Sequence, residues 1–401
     1  MAGVAILGFG VVGSGVAEVI AQNRAHIGQK LHSSLDLKYI LDVKDFPESP
    51  FRDLVVHDFS LIENDPNVDV VVETIGGAKI AKEFTERALR AGKSVVTSNK
   101  ELVATFGYEL MRLAQENNVS YLYEASVGGG IPIIRPLKQC LAANEISEIY
   151  GILNGTTNYI LSRMIHAGLS FEDALAEAQA LGYAEADPSS DIEGIDACRK
   201  ICILASLAFG KHVAPQKVST EGIGRVNLSD VAYAASCGYK IKLLGRAVKG
   251  TDLRLRIFVA PHLIPEQDPL AGVESVFNAI TVCGNAIGNV MFYGQGAGKL
   301  PTASAVVADV MEAVSHKNDP KYMDWGPGEE DTVVPDDGVY TWYVRVKSGS
   351  AALEGMEPLH FAAEPEGECA YLSRPMTSAA LEKCLQGVEV HAAFRVLKDD
   401  Q

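Results

Sequence analysis

Residues 1–130 alternate short apolar segments with amphipathic ones, and this alternation constrains the fold more strongly than any other feature of the sequence. The segments typical of helices are GSGVAEVIAQN, AKEFTERALRAG and ELMRLAQENN. They alternate with segments typical of strands, which are VAILGFG, LKYILDV, VDVVVETIG, SVVTSNK and SYLYEAS. Strands that alternate with helices of about ten or more residues form βαβ units and a parallel sheet. The sequence therefore predicts an α/β fold that begins with a doubly wound parallel sheet.

A glycine-rich turn, GFGVVG, lies between the first predicted strand and the first predicted helix. Its first glycine permits a tight turn, its second lets a pyrophosphate approach the backbone, and its third lets the helix pack close to the strand. The helix N-terminus then faces the phosphates. We therefore predict a Rossmann-type domain that binds a dinucleotide. The predicted phosphate-binding residues are Gly8, Phe9, Gly10, Val11, Val12 and Gly13.

The end of the second predicted strand, LDVKD, carries the residues that would choose between the two nicotinamide cofactors. An acid at this position binds the ribose hydroxyls and favours NAD, whereas a cation meets the 2′-phosphate and favours NADP. Asp42 could bind the ribose hydroxyls, and Lys44 could bind the 2′-phosphate. Alternatively, Lys44 is only a solvated charge in the loop. We predict NADP, with NAD as the alternative.

Beyond Ile149 the pattern changes to long helices followed by strands such as LRLRIFVAPHLI, which is typical of an α+β domain. The predicted helices span 158–167, 171–180, 194–209 and 229–236. The predicted organisation is a dinucleotide-binding domain at 1–134 rejoined by about 295–320, a second domain at 135–294, a linker at 325–338 that is rich in Gly, Pro and acids, and a small C-terminal α+β domain at 339–401.

Charge and composition exclude several classes of function. The formal net charge of -16 argues against nucleic acid or an anionic membrane surface as a partner. No apolar run reaches the roughly 18 residues that a membrane-spanning helix needs, and no basic leader precedes the first strand. The seven cysteines form no CxxC pair, and several lie in apolar helical segments, so reduced thiols are expected. These features predict a cytoplasmic protein.

A dense run of charges precedes the most apolar predicted helix. GYAEADPSSDIEGIDACRK (182–200) runs directly into ICILASLAFG, which contains no charged residue. The second segment predicts a buried helix that ends at Gly210. Asp196 and Lys200, four residues apart, share one face of the helix near its start. The residues alone leave two interpretations open, which are a structural ion pair and a catalytic pair.

Four stretches together resemble homoserine dehydrogenases. They are TSNKELVA (97–104), EASVGGGIPII (124–134), NGTTNYIL (154–161) and GYAEADPSSDIEGIDACRK. With the glycine loop and GQGAGKLPTAS, the resemblance extends over residues 3–315. It implies the NADP- or NAD-dependent, reversible reduction of L-aspartate 4-semialdehyde to L-homoserine, on the route to threonine, methionine and isoleucine. It also implies a homodimer, in which the second domain binds the substrate and forms the dimer contact.

The resemblance implies roles for the charged residues of these stretches. Glu185, with Asp196, would hold the substrate ammonium or hydroxyl group, and Lys100 would position the substrate beside the nicotinamide. The alkoxide left by hydride transfer needs a proton, and general acid catalysis is worth roughly 10²–10⁴-fold. Both lysines are candidates for the donor. We choose Lys200, because Asp196 one turn earlier can orient it.

Further positions match cofactor contacts of the family. They are Thr74, Ile75, Thr97, Ser98, Lys100, Gly182 and Gly298. The stretch NGTTN matches a segment near the substrate, but its role is less specific. Asn154 and Thr156 in this stretch could instead only cap the helix that follows.

The stretch EASVGGGIP matches a structural sodium site of the family. The implied ligands are Glu124 and the backbone oxygens of Val127, Gly129 and Ile131. Oxygen atoms of this kind suit a hard cation. The alternative, which the residues leave open, is that Glu124 caps the next segment and the glycines form a hinge.

Three other functions compete with this interpretation. A phosphorylating semialdehyde dehydrogenase needs a cysteine nucleophile in a loop, whereas Cys198 lies within the predicted helix. Another NAD(P)-dependent amino-acid dehydrogenase would not be expected to carry NGTTN and AEADP. A non-catalytic, dinucleotide-sensing regulator would have no use for a proton donor.

The C-terminal segment departs from the family pattern. VYTWYVRVK supplies a strand, but SGSAALEG stands where regulatory modules carry an aspartate-x-proline-glycine turn that binds threonine. EPEGECAYLSRP (364–375) also fits this module poorly. We therefore predict a degenerate regulatory-like module or a dimer contact, without inhibition by threonine.

Overall fold

The computed structural model describes residues 1–348, 353, 355–360 and 366–397. The chain divides into two compact units. The N-terminal unit comprises Met1–Glu145, Cys202–Pro215 and Gly294–Glu329. The second unit comprises Ile146–Ile201, Gln216–Tyr293 and Glu330–Gln401.

Residues 1–145 alternate strands and helices. The strands are β1 (Ala2–Leu7), β2 (Leu35–Leu41), β3 (Val55–Val56), β4 (Val70–Glu73), β5 (Ser94–Thr97) and β6 (Tyr121–Leu122). The helices are α1 (Val11–Gln22), α2 (Arg24–Leu31), α3 (Ser60–Glu63), α4 (Lys79–Arg90) and α5 (Lys100–Glu116). Helix α5 begins earlier than its apolar pattern predicts, because Asn99 caps its first turn.

Residues 146–397 contain longer helices and a larger set of strands. The strands are β7 (Ile146–Ile152), β8 (Ser219–Thr220), β9 (Tyr239–Lys249), β10 (Leu255–Pro265), β11 (Phe277–Gly284), β12 (Gly288–Gln295), β13 (Val333–Val334), β14 (Trp342–Lys347), β15 (Met356–Leu359), β16 (Glu368–Ser373) and β17 (Val390–Val396). The helices are α6 (Gly155–Ala167), α7 (Phe171–Ala180), α8 (Ser189–Ile192), α9 (Ile195–Phe209), α10 (Leu228–Ser236), α11 (Lys299–Ser315) and α12 (Ser378–Cys384). The four long helices predicted between 158 and 236 are confirmed.

The first sheet is parallel throughout, with the strand order β3-β2-β1-β4-β5-β6. Every residue of β1, β4 and β5 is buried, as expected when helices cover both faces of a parallel sheet. Helix α11 packs closely on α1, since a Cβ at Gly15 would lie 3.1 Å from that of Ala303. The strand order reverses between β1 and β4, where ligands bind in open α/β sheets. The predicted doubly wound sheet is confirmed.

The second sheet is mixed, and its main path has the strand order β12-β11-β7-β9-β10-β17-β14-β16-β15. The long strands β9 and β10 pair antiparallel from Leu255↔Lys249 to Pro265↔Tyr239. Helix α6 packs on β9 and β11, and α10 packs on β9. This arrangement confirms the predicted second α+β fold.

The C-terminal strands continue this second sheet instead of forming a sheet of their own. Strand β17 pairs parallel with β10 through His262↔Arg395 and antiparallel with β14. Arg345 on β14, which is buried, donates to Asp230 on α10 at 2.7 Å. The structure therefore differs from the predicted separate domain at 339–401, because the edge of β10 pairs with the tail.

Residues 325–338 are packed at Trp325 and from Thr332 onward, with 327–331 exposed between them, although their composition predicts a linker. Trp325 is 3% exposed and contacts Tyr123. Strand β13 pairs with β10, and Asp336 forms an ion pair with Arg395 at 3.1 Å. Composition indicates the irregular backbone here but not its burial. The segment SGSAALEG (348–355), which stands where a threonine-binding turn would be expected, lies mostly outside the described residues.

Helix α9 is the buried helix that follows the charged run. It ends before Gly210, whose φ of +73° is the left-handed conformation that stops helices. The predicted helix and its end are therefore confirmed. In the part of the chain that the structure describes, no helix is long and apolar enough to cross a membrane.

Candidate functional site

The glycine loop after β1 has the geometry of a pyrophosphate-binding turn. Gly8 has a φ of +87°, which L side chains rarely adopt. A Cβ at Gly13 would lie 2.0 Å from the carbonyl oxygen of Gly8, so only glycine lets α1 start this close to β1. Apart from Gly10 itself and its two chain neighbours, no heavy atom of the described residues lies within 4 Å of the Cβ position at Gly10. Phosphate oxygens can therefore approach the backbone here and reach the N-terminus of α1.

The three other residues of the loop differ in what they offer. The ring of Phe9 is 7% exposed and packs edge-on against Phe46. Val11 is exposed, and Val12 packs partly on the core. The N–H groups of Val11 and Val12 lie in the first turn of α1, where a helix offers no acceptor of its own. Phe9 therefore shapes the loop, whereas the two valines present N–H groups.

The residues that follow β2 are arranged around Asp42. Its carboxylate accepts the N–H of Phe9 at 2.7 Å and that of Lys44 at 3.0 Å. Hydrogen bonds of His57 to the carbonyl of Asp42 and to the Asp45 carboxylate raise the pKa of His57. The side chains of Lys44 and His57 are exposed. Asp42 thus organises the loop, and His57 is a second basic side chain beside it, which the sequence did not single out.

The carboxyl ends of β4 and β5 are joined by Glu73, which is fully buried. Its carboxylate accepts the Thr97 hydroxyl at 2.6 Å and the Ile75 N–H at 2.6 Å. The hydroxyl of Thr74 lies 2.8 Å from the carbonyl oxygen of Gly8. Burial raises the pKa of Glu73 to about 7. Three predicted cofactor contacts therefore meet at one edge of the sheet, joined by a carboxylate that the sequence analysis did not single out.

Lys100 is the first residue of α5 and follows its cap directly. The Asn99 side chain caps the helix and donates to the carbonyl oxygens of Ile75 at 3.1 Å and Gly77 at 2.8 Å. Lys100 and Ser98 are half-buried. One capping residue thus fixes Lys100 relative to the loop after β4.

Glu124 caps the segment that begins near residue 133. It is 5% exposed. Its carboxylate accepts the N–H groups of Ile133 at 2.7 Å, Ile134 at 2.8 Å and Arg135 at 2.8 Å. Capping, one of the two roles that the sequence left open, is thus what the Glu124 side chain does in this structure.

The predicted sodium ligands beside Glu124 form a tight turn, in which Ile131 donates to the Gly128 carbonyl at 2.8 Å. Within the described ranges, the carbonyl oxygens of Val127, Gly129 and Ile131 accept no hydrogen bond. Three unpartnered carbonyls beside a buried anion fit a hard cation. No group of three His, Cys, Asp or Glu side chains that could hold a metal occurs among the described residues, so such an ion would rest chiefly on the backbone.

In the second unit, the cap of α6 and the start of α9 form one polar cluster. Lys200 Nζ lies 2.8 Å from Asp196 Oδ2 and donates to the carbonyl oxygen of Leu153 at 2.7 Å. Asn154 Nδ2 lies 2.7 Å from Asp191 and 2.9 Å from Asp196. Asp196 is 2% exposed and Lys200 is 7% exposed. The pair predicted from its spacing thus exists, within a network of four side chains.

Asp191 and Asn154 have larger parts in this cluster than the sequence indicated. Burial, followed by the nearby charge of Asp196, raises the pKa of Asp191. Asn154 also caps α6, since its Oδ1 accepts the Thr157 N–H at 2.8 Å. Two carboxylates and one ammonium group can together bind both signs of charge on a small zwitterion. Spacing within one helix could not reveal Asp191, because it lies in the short helix α8.

The remaining predicted residues lie at helix ends or on the surface. Gly182 ends α7 with a φ of +75°, and Gly298 precedes α11 with a φ of +126°. Thr156 donates to the Tyr183 carbonyl at 2.7 Å. Glu185 is exposed, and within the described residues its side chain has no contact with the Lys200 cluster. The structure therefore does not bring Glu185 into that cluster.

These features define the class of the protein. The first unit has the phosphate-binding turn of a dinucleotide fold at its topological switch point. The second unit has a buried lysine held by a carboxylate, which suits proton transfer to an oxygen atom. A nicotinamide dinucleotide and a proton donor are the parts of an NAD(P)-dependent oxidoreductase.

Comparison with known proteins agrees with this class. The family model "Homoserine dehydrogenase" matches residues 132–311, and "Homoserine dehydrogenase, NAD binding domain" matches residues 8–124. The homoserine dehydrogenase of Bacillus subtilis is 42% identical over 318 residues, which are 78% of this chain and 73% of that protein. A crystal structure of a homoserine dehydrogenase from Thiobacillus denitrificans superposes with a TM-score of 0.91, at 34% identity, over 99% of this chain and 98% of that one. A hyperthermophilic archaeal homoserine dehydrogenase in complex with NADPH matches with a TM-score of 0.66, at 31% identity, over 78% of this chain and 97% of that one.

The chain belongs to the homoserine dehydrogenase family. It is an NAD(P)-dependent oxidoreductase that acts on a CH–OH group, and its cofactor is a nicotinamide dinucleotide. The resemblance carried by the sequence motifs is thereby confirmed.

Proposed function

We propose that this chain catalyses the reversible, NAD(P)H-dependent reduction of L-aspartate 4-semialdehyde to L-homoserine, with Lys200 as the proton donor. The observation that carries the proposal is the buried cluster of Lys200, Asp196, Asn154 and Asp191. The bound nicotinamide supplies the hydride. The pathway we propose is the one from this product to threonine, methionine and isoleucine.

The cluster supports a general acid. Reduction of an aldehyde leaves a negative oxygen, which needs a proton. The carboxylate of Asp196 and the carbonyl of Leu153 orient the Lys200 ammonium group. Asp196 and Asp191 offer negative charge to the substrate ammonium or hydroxyl group. After the transfer, solvent returns the proton to Lys200.

Lys100 and Glu185 have supporting roles in this proposal. Lys100 lies in the N-terminal unit, held beside the loop after β4 by the Asn99 cap. Its positive charge would stabilise and position the substrate. The exposed position of Glu185 supports a role at the entrance for the substrate better than one in the buried cluster.

A cofactor absorbance assay tests the function. We expect saturable oxidation of NADPH or NADH with L-aspartate 4-semialdehyde, and the reverse reaction with L-homoserine, neither of which requires phosphate. A requirement for phosphate would instead indicate a phosphorylating semialdehyde dehydrogenase. Cofactor binding without turnover would indicate a dinucleotide-sensing regulator, and turnover only with other amino acids would indicate another dehydrogenase.

For the cofactor, we propose NADP. The exposed basic side chains of Lys44 and His57 lie beside Asp42, whose two carboxylate oxygens already accept backbone N–H groups. A phosphate is bound best by cations of this kind. The archaeal relative whose structure contains NADPH agrees with this choice.

A structural sodium ion is proposed at the turn beside Glu124. The support is the three unpartnered carbonyl oxygens of Val127, Gly129 and Ile131. The Glu124 carboxylate would contribute charge while it caps the next segment. A rise in melting temperature when sodium replaces choline would support the site, and an equal melting temperature in both salts would contradict it.

We propose a cytoplasmic homodimer. Strand β12 is the last strand at one end of the second sheet, and it exposes Met291 and Tyr293. An open strand edge with apolar side chains is suited to cover by a second copy. Light scattering would test this, since a monomer at micromolar concentration would contradict it. None of the seven cysteines, all of which lie in the described ranges, forms a disulfide, as a reducing compartment favours.

A further inference from the structure

Glu73 is a buried carboxylate that has no cationic partner among the described residues. It is 0% exposed at the end of β4, whose other residues are all valine. The groups that act on its carboxylate are the neutral donors Thr97, Ile75 and Asn99. The titratable group that faces it is the buried phenol of Tyr121 on β6, whose pKa is raised by burial and then by Glu73. A buried, unpaired anion is costly, so a strand that only needed to fold would be better served by a neutral side chain.

The partners of this carboxylate are the two segments assigned to the cofactor. On one side the Ile75 N–H donates to it at 2.6 Å. On the other side the Thr97 hydroxyl donates at 2.6 Å and itself accepts the Asn99 N–H at 2.9 Å. Asn99 then caps the helix that begins with Lys100. Glu73 therefore lies in the middle of a chain of hydrogen bonds that connects the loop after β4 with the start of α5.

We propose that Glu73 is a positioning residue, whose negative charge holds the loop after β4 and the start of α5 in the arrangement that binds the nicotinamide end of the cofactor. This inference rests on the proposed roles of Ile75, Thr97 and Lys100. The hydrogen bonds from Thr97, Ile75 and Asn99 are all donated to the Glu73 carboxylate, so each is stronger while the carboxylate is charged.

Protonation of Glu73 would change the direction of these hydrogen bonds. A protonated carboxyl group carries a hydrogen that it must donate. If Thr97 Oγ1 accepts that hydrogen, it can no longer donate to Glu73, and its two lone pairs must then serve both Glu73 and the Asn99 N–H. Burial raises the pKa of Glu73 to about 7, so the charged arrangement prevails above neutral pH and weakens below it.

The test uses Glu73→Gln in the full chain, and NADH as the probe because it lacks the 2′-phosphate, which titrates and contacts other residues. Glutamine keeps the shape of the side chain and removes its charge. The dissociation constant of NADH is measured by its fluorescence from about pH 5.5 to about 8.5, on either side of this pKa. Glu63→Gln is the matched control, since Glu63 pairs with Arg87 elsewhere in the same unit.

We expect wild type to bind NADH roughly tenfold more tightly than Glu73→Gln at the alkaline end, which is the difference between a charged and a neutral hydrogen bond. The two proteins should converge at the acidic end. Glu73→Asp, which keeps the charge, should restore part of the difference. The melting temperature of Glu73→Gln at pH 8 should equal or exceed that of wild type, because the buried charge is gone. Glu63→Gln should follow the wild-type profile of NADH binding.

A ratio of affinities that does not change with pH would overturn the proposal. So would a lower melting temperature of Glu73→Gln with unchanged NADH binding, which is the result expected of a purely structural residue. Both outcomes are measured without substrate. The turnover of L-homoserine by the wild-type protein therefore tests the proposed function separately.

Discussion

Replacing Lys200 by methionine is the sharpest test of the proposed chemistry. Methionine keeps most of the volume of the side chain and removes the ammonium group. The Nζ atom lies 2.8 Å from Asp196 and 2.7 Å from the Leu153 carbonyl oxygen, and the residue is 7% exposed. The substitution therefore removes the cation that is paired with Asp196 and leaves that carboxylate buried.

The substitution should lower both the stability of the protein and its kcat, and these two losses have different physical causes. Breaking a buried ion pair on one side costs about 3–5 kcal/mol of stability, because the remaining charge is left unpaired. Loss of a general acid lowers kcat by roughly 10²–10⁴-fold, which corresponds to about 3–5 kcal/mol of transition-state stabilisation. Stability loss alone would lower the amount of active enzyme but not the kcat per folded molecule.

The matched control is Lys242→Met in the same unit. Lys242 is 0% exposed, and its ammonium donates to Asn158 at 3.0 Å and to the Val273 carbonyl at 2.5 Å. Removal of this ammonium should also destabilise the protein. It should leave kcat within about threefold of wild type, because Lys242 has no part in the proposed chemistry.

The assay combines initial rates of NADPH oxidation with NADPH titration and a melting curve for each variant. Lys200→Met should lose kcat by at least about 10²-fold while its NADPH dissociation constant stays near that of wild type. Asp196→Ala should lose less, and the double variant should not be additive, because the two residues act as a unit. If Lys200→Met keeps its kcat while Lys100→Met loses it with a shifted pH profile, the donor is Lys100 and the reasoning is refuted.

Three further outcomes are expected. Lys44→Ala should weaken NADPH by about tenfold and leave NADH unchanged, as one lost phosphate contact requires, and equal effects in the two titrations would remove Lys44 from the site. Threonine at millimolar concentration should leave turnover unchanged, and saturable inhibition that disappears on deletion of 339–401 would show that the tail binds it. Burial alone would raise the pKa of Glu274, but the hydrogen bond from Lys240 and the charge of Lys242 lower it to about 2. The ionised Glu274 side chain therefore contributes about 1–2 kcal/mol to the free energy of unfolding, a value reduced for its partial exposure. This contribution is complete above the unfolded pKa of about 4.5, and it is lost as the pH falls toward 2. Glu274→Gln should flatten the fall in melting temperature across this range, and a parallel fall in both proteins would contradict the assignment.

Most of the first sheet could be predicted, because the sequence pattern of each strand or helix lies within that element. Most of its strands are short runs rich in Val, Ile or Leu, and the longer helices α1, α4 and α5 each have an apolar pattern of their own. The C-terminal strands could not be placed in this way. Val344 and Phe394 are apolar and would suit any sheet, and only the pairing of β17 with β10 assigns them to the second one.

The site was predictable where its residues lie close together in the sequence. Gly8 and Gly13 belong to the glycine-rich turn GFGVVG, and Asp196 and Lys200 share one face of a helix. Asp191 and Glu73 were not predicted, because their roles depend on burial and on partners from other elements. A carboxylate at the end of a valine strand is the signal that could have pointed to Glu73, since a charge in such a position requires a reason.

The position of β17 has a consequence for synthesis of the protein on the ribosome. This strand lies between β10 and β14, and Leu397 donates to the Leu263 carbonyl oxygen at 2.8 Å just beyond it. A nascent chain that has not yet released residues 390–397 leaves the facing edges of β10 and β14 unpaired. The N-terminal sheet pairs only residues from 2 to 122 and can form early, whereas the second sheet must wait for its most C-terminal strand. During that interval the open edge of β10 can pair with other chains and aggregate, and a chaperone that binds extended apolar segments would protect it.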